Sequence, residues 1–234
     1  ILNTNDMPER SLASISLMTV GVGGSYTKKW ERTSLSLTAN YTNLLPYFWL
    51  VPQYTEWDDP PRGIDGMINF QQKTGKDGLL KCFLSYDQGN SSMNYPTPVN
   101  VNEDMKLILN DRNTYFNASY RDILSENFSL KAGLSYSDDR NDMDLGNDRL
   151  LEKVRVYQGR YTITWIKNET FSLRFGNEYQ HKEYQQDYFY SLEDTEYESG
   201  FNDDFITAFA EGDIAISSKL ALRLGGRFEN SALL

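Results

Sequence analysis

The densest set of metal-capable oxygens lies in Ser137-Asp138-Asp139-Arg140-Asn141-Asp142-Met143-Asp144-Leu145-Gly146-Asn147-Asp148. Calcium takes six to eight oxygens in a flexible shell, and Asp142, Asp144 and Asp148 are the carboxylates such a loop would offer. The spacing of a complete calcium loop, with its terminal bidentate Glu, is absent, so a solvated acidic loop is the stronger reading. A second candidate is the run Tyr184, Tyr188, Tyr190 ahead of Glu193, Asp194, Glu196 and Glu198. Phenol rings beside carboxylates make a surface for sugars or cationic ligands. The competing reading is a strand end rising above a membrane.

Catalytic chemistry finds little to work with. The single histidine, His181, has no second His or Cys nearby to share a metal. Carboxylate pairs for glycoside hydrolysis occur in any acidic chain and carry no signal here. Gly21-Val22-Gly23-Gly24 does not lead into a helix, so it is no phosphate loop; glycines there let a strand bend or approach a neighbour closely. The expectation is a protein that is not an enzyme and has no cofactor, calcium in an external loop being the one candidate. A formal net charge of -10 argues against nucleic acid, whose phosphates call for Lys and Arg. One cysteine, Cys82, rules out an intrachain disulfide.

The elements that would position these groups are strands. Phe128, Leu130, Ala132, Leu134 and Tyr136 alternate with Ser129, Lys131, Gly133, Ser135 and Ser137. Successive strand residues point to opposite sides, so one face is apolar and the other polar. The same alternation marks 34–41, 80–87 (with Phe83 as an exception), 116–121, 171–180 and 220–229, and more weakly 12–27, 64–73, 153–166 and 204–216. About ten strands result. Hydrophobic residues make up only 39% of the chain while aromatics reach 14%. That balance suits a wall in which only alternate residues meet an oily phase. No apolar run approaches the roughly 20 residues of a membrane helix, so a bilayer would be crossed only by a closed barrel.

The connections alternate in length. Short links fall at 28–32, 74–78, 125–127, 167–170 and 217–219, and long polar links at 44–62, 90–111, 138–150 and 186–203. Tight turns at one end and extended loops at the other are the habit of outer-membrane barrels. Phe128 and Tyr136, Tyr157 and Trp165, and Phe171 and Tyr179 each sit eight positions apart on one face. At ~3.3 Å per residue that is about 26 Å along a strand. With a tilt near 40° it is roughly 20 Å vertically, close to the ~25 Å band between aromatic girdles. With the apolar faces outward, Arg121, Lys131, Arg160, Arg174, Glu178, Arg223, Arg227 and Glu229 look inward, as an ion-paired lumen wall or as contacts to a plug or substrate. Pro46-Tyr47-Phe48-Trp49-Leu50-Val51-Pro52 is the most apolar loop segment, suited to the loop crown or a partner protein.

Three stretches carry a family resemblance. They are Gly23-Gly24-Ser25-Tyr26-Thr27-Lys28-Lys29-Trp30 with Thr33 to Tyr41, Ser125 to Tyr136, and Lys219 to Glu229. They resemble the barrel hairpins of TonB-dependent outer-membrane receptors, in the style of the Bacteroidetes-type members with a carboxypeptidase-like regulatory extension. The resemblance implies a 22-stranded barrel closed by an N-terminal plug, and active uptake powered by TonB acting on that plug. It implies a siderophore, vitamin, glycan or peptide as ligand. The plug of the same protein, TonB, membrane lipid and a surface lipoprotein are the implied partners, and the Gram-negative outer membrane is the implied location. Residues 1–234 then read as an all-β antiparallel meander, an incomplete part of the barrel without its plug. Two rivals stand beside this reading. One is a self-contained ten-stranded outer-membrane barrel acting as enzyme or adhesin; the other is a soluble all-β glycan-binding module.

Overall fold

The computed structural model describes residues 7–96, 104–231 and 233. They form one antiparallel sheet of eleven strands, each paired with its sequence neighbours. The strands are β1 (Leu12–Met18), β2 (Gly21–Lys29), β3 (Thr33–Asn43), β4 (Glu56–Thr74), β5 (Gly78–Pro96) and β6 (Asp104–Ser125). They continue as β7 (Phe128–Leu145), β8 (Asp148–Asn168), β9 (Phe171–Tyr190), β10 (Thr195–Ser217) and β11 (Leu220–Ser231). A six-residue helix, α1 (Leu45–Leu50), lies between β3 and β4. No described helix is long and apolar enough to cross a membrane.

The eleventh strand comes from the stretch 12–27. The sequence pattern reads it as one strand, but the chain turns back at Thr19-Val20 and β1 pairs with β2, Ser16 opposite Gly23. The glycines of β2 let it lie close against β3. A Cβ on Gly21 would lie 2.3 Å from the Tyr41 carbonyl oxygen, and one on Gly23 2.2 Å from Asn40 Oδ1. Neither position takes a side chain as the chain stands.

A second correction concerns the long links. The stretches 138–150 and 186–203 are strand for most of their length. β7 and β8 stay in register out to Leu145 opposite Asp148, leaving Gly146-Asn147 as the turn. Gly146 has φ 63°, the left-handed conformation that a two-residue type II′ turn needs at its first position. β9 and β10 pair out to Tyr190 opposite Thr195. The stretch 44–62 holds α1 and the start of β4, and 90–111 is strand on either side of residues 97–103, which lie outside the described residues. The alternation of long and short connections does not hold as read: one end of the sheet has only short turns, and the other has the two-residue turns Thr19-Val20 and Gly146-Asn147 beside α1 and the paired strand extensions.

The sheet has no second layer. Substantial packing occurs only between successive strands. Leu134 and Leu222 remain 52% and 41% exposed, which removes the two-sheet sandwich required by the soluble-module rival. Burial is inverted relative to a soluble protein. Ser34, Gln71, Asn117 and Thr207 are buried, and all four sit on the polar face. The sheet therefore curls with its polar side inward. No pairing joins β1 to β11, so among the described residues both edges are open.

Candidate functional site

The curl creates a polar wall, and register places each side chain on it. Opposed residues of an antiparallel pair share a face. In the wall's lower half, above the row that holds Ser129, Arg174 and Glu211, one row runs Leu79, Arg121, Lys131, Thr162, Gly176, Phe209, Arg227. The next runs Lys81, Ser119, Gly133, Arg160, Glu178, Thr207, Glu229. Leu79, Lys81, Arg121, Lys131 and Arg160 line a cleft of about 310 Å³. Gly176 is where the wall is tightest, since a Cβ there would stand 2.1 Å from the Tyr161 carbonyl oxygen.

The charges on this wall divide into two groups. Toward β11 they pair: Arg160 Nη1 lies 3.9 Å from Glu178 Oε2 and Arg174 Nη1 3.5 Å from Glu211 Oε1. Arg223 Nε lies 2.6 Å from Asp213 Oδ1, and Arg227 pairs with Glu229. Toward β5 to β7 the wall is basic, with Arg121 directly opposite Lys131. Phe83, the exception to the alternation, faces this interior and meets Tyr115 at a ring separation of 6.0 Å.

The outer side carries two aromatic rows. Near the short turns, Phe128 and Trp165 stack at 6.2 Å and Trp165 meets Phe171 edge-on at 6.1 Å. Eight residues up, Tyr136 and Tyr157 lie 5.0 Å apart, and Tyr157 is 6.1 Å from His181. Tyr179 and His181 both reach Asp204 Oδ1, at 2.7 Å and 2.8 Å. His181 thus closes an aromatic row rather than a catalytic group.

Above the upper row the two faces exchange character. On the outside of β7, Leu130, Ala132, Leu134 and Tyr136 give way to Asp138, Arg140, Asp142 and Asp144. On its inside, Lys131, Gly133, Ser135 and Ser137 lead up to Met143 and Leu145. The other strands of this region do the same. Leu109, Met143, Leu150, Tyr188 and Tyr197 form one inward row at the tips. Sequence reading missed this row because the stretches holding it look like loops. Its signal was confined to the tips, where Met143 and Leu145 alternate with Asp142 and Asp144 one residue out of phase with the belt.

Tyr184, Tyr188 and Tyr190 all lie on the inward face of β9. Tyr184 stacks on Phe201 at 5.4 Å and donates its hydroxyl to Glu152 Oε1 at 2.9 Å. Tyr188 stacks with Tyr190 at 6.3 Å and with Tyr197 at 6.2 Å. Lys182 Nζ sits 5.5 Å above the Phe201 ring, a cation–π contact. The bond to Glu152 raises the Tyr184 phenol above its ordinary value, because the carboxylate favours the protonated hydroxyl. In the same inward row as Tyr184, Asp87 faces Asp65 across the ladder. Its carboxyl is pushed up by burial first, then by Asp111, Asp139 and Asp65. The mouth is thus aromatic and acidic, and the base of the wall is basic.

The three carboxylates considered for calcium are divided between sites. Asp142 lies on the outer face, where Arg149 Nη2 donates to it at 2.9 Å and Arg140 approaches at 3.4 Å. The Arg149 bond leads the forces that hold its carboxyl below the usual range. Asp144 lies 3.8 Å from the same Arg149. Asp148 accepts from the Ser191 amide at 2.8 Å and hydroxyl at 2.6 Å, tying the tip of β7–β8 to the tip of β9–β10. No metal-ligating group of three carboxylate, His or Cys side chains occurs among the described residues.

No protein-family model and no curated protein matches the chain. Solved structures do. A copper transporter, OprC, matches with a TM-score of 0.60 at 13% identity over 94% of this chain and 36% of its own. The RagAB peptide importer in its open-open state matches at 0.53 and 10% over 91% and 31%. FyuA, the ferric yersiniabactin uptake receptor of Yersinia pestis, matches at 0.50 and 12% over 92% and 37%. The chain spans about a third of the length of each. At such identities the likeness is one of architecture. Taken with the open, inward-curled meander, it gives this chain the fold of part of an antiparallel β-barrel wall.

Proposed function

We propose that the chain is a stretch of barrel wall from an active outer-membrane transporter of the TonB-dependent kind. A single observation carries the reading. One unlayered sheet keeps its apolar face outward between two aromatic rows, and then exchanges the polarity of its faces above the upper row. An apolar belt framed by aromatic girdles, with a polar interior, is what a strand needs to cross a bilayer. The open edges fit a partial wall. Unpaired strand edges are not tolerated in hydrocarbon, and bacterial barrels of one chain have even strand numbers, so eleven strands do not close alone. Further strands on both sides complete the ring.

Within that ring, the aromatic and acidic mouth formed by Tyr184, Tyr188, Tyr190, Tyr197 and Glu152 receives the ligand, and the basic lower wall around Arg121 and Lys131 faces a plug on which TonB pulls. The likeness to importers of peptide, copper and a ferric siderophore supports uptake as the activity. The ligand is proposed as a class: siderophore, vitamin, glycan or peptide. The hairpin texture supports the type with a carboxypeptidase-like regulatory extension. Trp49, Leu50 and Tyr54, exposed at 76%, 73% and 110%, are offered as the seat of a surface lipoprotein. Calcium in the loops remains a proposal for the full ring, where further donors join Asp142, Asp144 and Asp148.

The test is uptake by a strain that lacks its own TonB-dependent receptors and makes the full-length protein. A panel of labelled siderophores, cobalamin, oligosaccharides and peptides is offered with and without a protonophore. Entry of one class that stops when the proton gradient collapses is the expected result. Entry unaffected by the protonophore would show a passive pore and overturn the reading.

A further inference from the structure

The inward face of the mouth carries carboxylates and ring faces side by side. Asp65 on β4 is directly opposite Asp87 on β5, and the same row continues through Asn113 to Asp139 on β7. It then passes Val154 and reaches the rings of Tyr184 on β9 and Phe201 on β10. One row higher stand Asp111 and Glu152, on either side of Asn141. Like charges directly opposite one another destabilise a sheet. Among the described residues, Asp65, Asp87, Asp111 and Asp139 have no ion pair. Asp65 accepts from Asn40 at 2.7 Å, and Asp139 accepts from Asn113, but these neutral amides leave the charge in place. From the row of Ser137 upward, Lys182 is the one inward Lys or Arg on the described strands, and Asp203 directly opposite already matches it. The surplus negative charge calls for a cation from outside.

The rings beside the carboxylates take cations too. Lys182 Nζ already lies 5.5 Å over the Phe201 ring, and Phe201 and Tyr197 stay 38% and 50% exposed. Ring faces attract ammonium and guanidinium groups and offer apolar area at the same time. The extent of the surface sets the size of what covers it. Neighbouring strands lie ~4.8 Å apart, so the three ladders from Asp65 to Asp139 span about 14 Å, and three more to Phe201 span about 14 Å again. A lone ammonium group would meet only one end of such a row. An extended peptide rises ~3.4 Å per residue and shows a side chain to one side every ~7 Å, so about nine residues cover the row. An anionic ligand would add to the repulsion, and a neutral sugar would leave it unrelieved. We infer that the ligand of this mouth is a basic peptide, lying extended around the inner wall. Its Lys or Arg side chains meet Asp65, Asp87, Asp111 and Asp139, and its apolar residues lie on Phe201 and Tyr197. The inference names a ligand for the mouth already proposed as the entry, and it rests on that reading.

The experiment measures binding of fluorescent peptides of one length, about nine residues, to the full-length protein in detergent micelles by anisotropy. The probes share a half rich in Leu and Phe, and alternate positions of the other half carry Lys, Gln or Glu. Exposed ion pairs are worth about two- to threefold each, so a probe with three Lys binds about tenfold more tightly than its Gln counterpart. The Glu probe binds more weakly than either. Asp87→Asn with Asp139→Asn lowers the affinity of the Lys probe about fivefold and leaves that of the Gln probe unchanged. Asp138→Asn with Asp144→Asn removes the same charge from the outer face and changes neither. Tyr197→Ser weakens the Lys and Gln probes alike, by about fivefold for one lost ring contact. Equal affinity for the Lys and Gln probes, or an equal loss in the Asp138/Asp144 control, overturns the inference. Energised uptake of another ligand class by a protein that ignores the Lys probe overturns it as well, and leaves the transporter reading standing. Binding of the Lys probe with entry indifferent to a protonophore keeps the docking surface and overturns active uptake.

Discussion

Replacing Leu134 by arginine separates an oily environment from water at that position. Leu134 is 52% exposed, opposite Ala118 on one side and Gly159 on the other. In a soluble protein an exposed Leu→Arg change of this kind stays within about 0.5 kcal/mol. In a bilayer the cost of a lipid-facing Arg is about 2–4 kcal/mol at the midplane and falls toward 0–1 at the interface. Leu134 lies two residues from Ala132, the midpoint between Phe128 and Tyr136. That is ~7 Å along the strand and roughly 5 Å in depth at a 40° tilt. The expected loss is therefore about 2 kcal/mol, or about 30-fold in the folding equilibrium. Ser137→Arg, on the inward face of the same strand, is the control and is expected to change stability by less than about 0.5 kcal/mol. The assay is denaturant unfolding of the full-length protein in phosphatidylcholine vesicles, followed by tryptophan fluorescence. A Leu134→Arg cost no larger than that of Ser137→Arg would refute the claim that this face meets hydrocarbon.

Gly176→Ala is expected to cost about 1–3 kcal/mol, as overpacking does, because the added carbon meets the Tyr161 carbonyl oxygen at 2.1 Å. Gly159→Ala, with nothing within 4 Å of its Cβ, is expected to be neutral or stabilising by up to about 1 kcal/mol in the same unfolding assay. Asp87→Asn removes a carboxylate opposite Asp65 and is expected to stabilise by roughly 0.5 kcal/mol at neutral pH. Asp87 is raised in the folded state, so its favourable contribution exists in acid and is lost as pH rises through that raised value; the gain from Asn therefore vanishes in acid, and a pH-independent gain would refute the cause. Asp142 is lowered, so its contribution is present above the ordinary value of 3.8 and lost as pH falls through the lowered one. Amide protection from hydrogen exchange around Met143 to Gly146 is expected to drop over that acidic range, and to do so less in Arg149→Gln.

Much of the fold was legible because the apolar belt writes a strict period of two. Phe128 to Tyr136 and Phe171 to Tyr179 need no tertiary information, since the solvent on one side is oil and on the other water. The aromatic pairs spaced eight apart proved to be neighbours across strands, as at Phe128 and Trp165. Above Tyr136 water lies on both sides and composition stops reporting direction, so Asp138 to Asp148 read as a loop although the ladder runs on to Leu145. The β1–β2 turn was missed because Thr19-Val20 carries no Gly, Pro or Asn, and the glycines that mark it fall inside β2. At the mouth, the Tyr184, Tyr188 and Tyr190 cluster was visible as composition. Its partners Glu152, Phe201 and Tyr197 were not, because they come from neighbouring strands and only register joins them.

The paired extensions above the belt constrain how the mouth can diversify. Since β7 and β8 stay hydrogen-bonded to a two-residue tip, inserting one residue into each strand below the tip would turn every side chain beyond to the opposite face. Met143 and Leu150 would then point to solvent, and Asp142 and Arg149 into the vestibule. Variants of this protein with altered ligand choice are therefore reached by point substitution, by length changes of an even number per strand, or through the α1 segment, where no ladder keeps count.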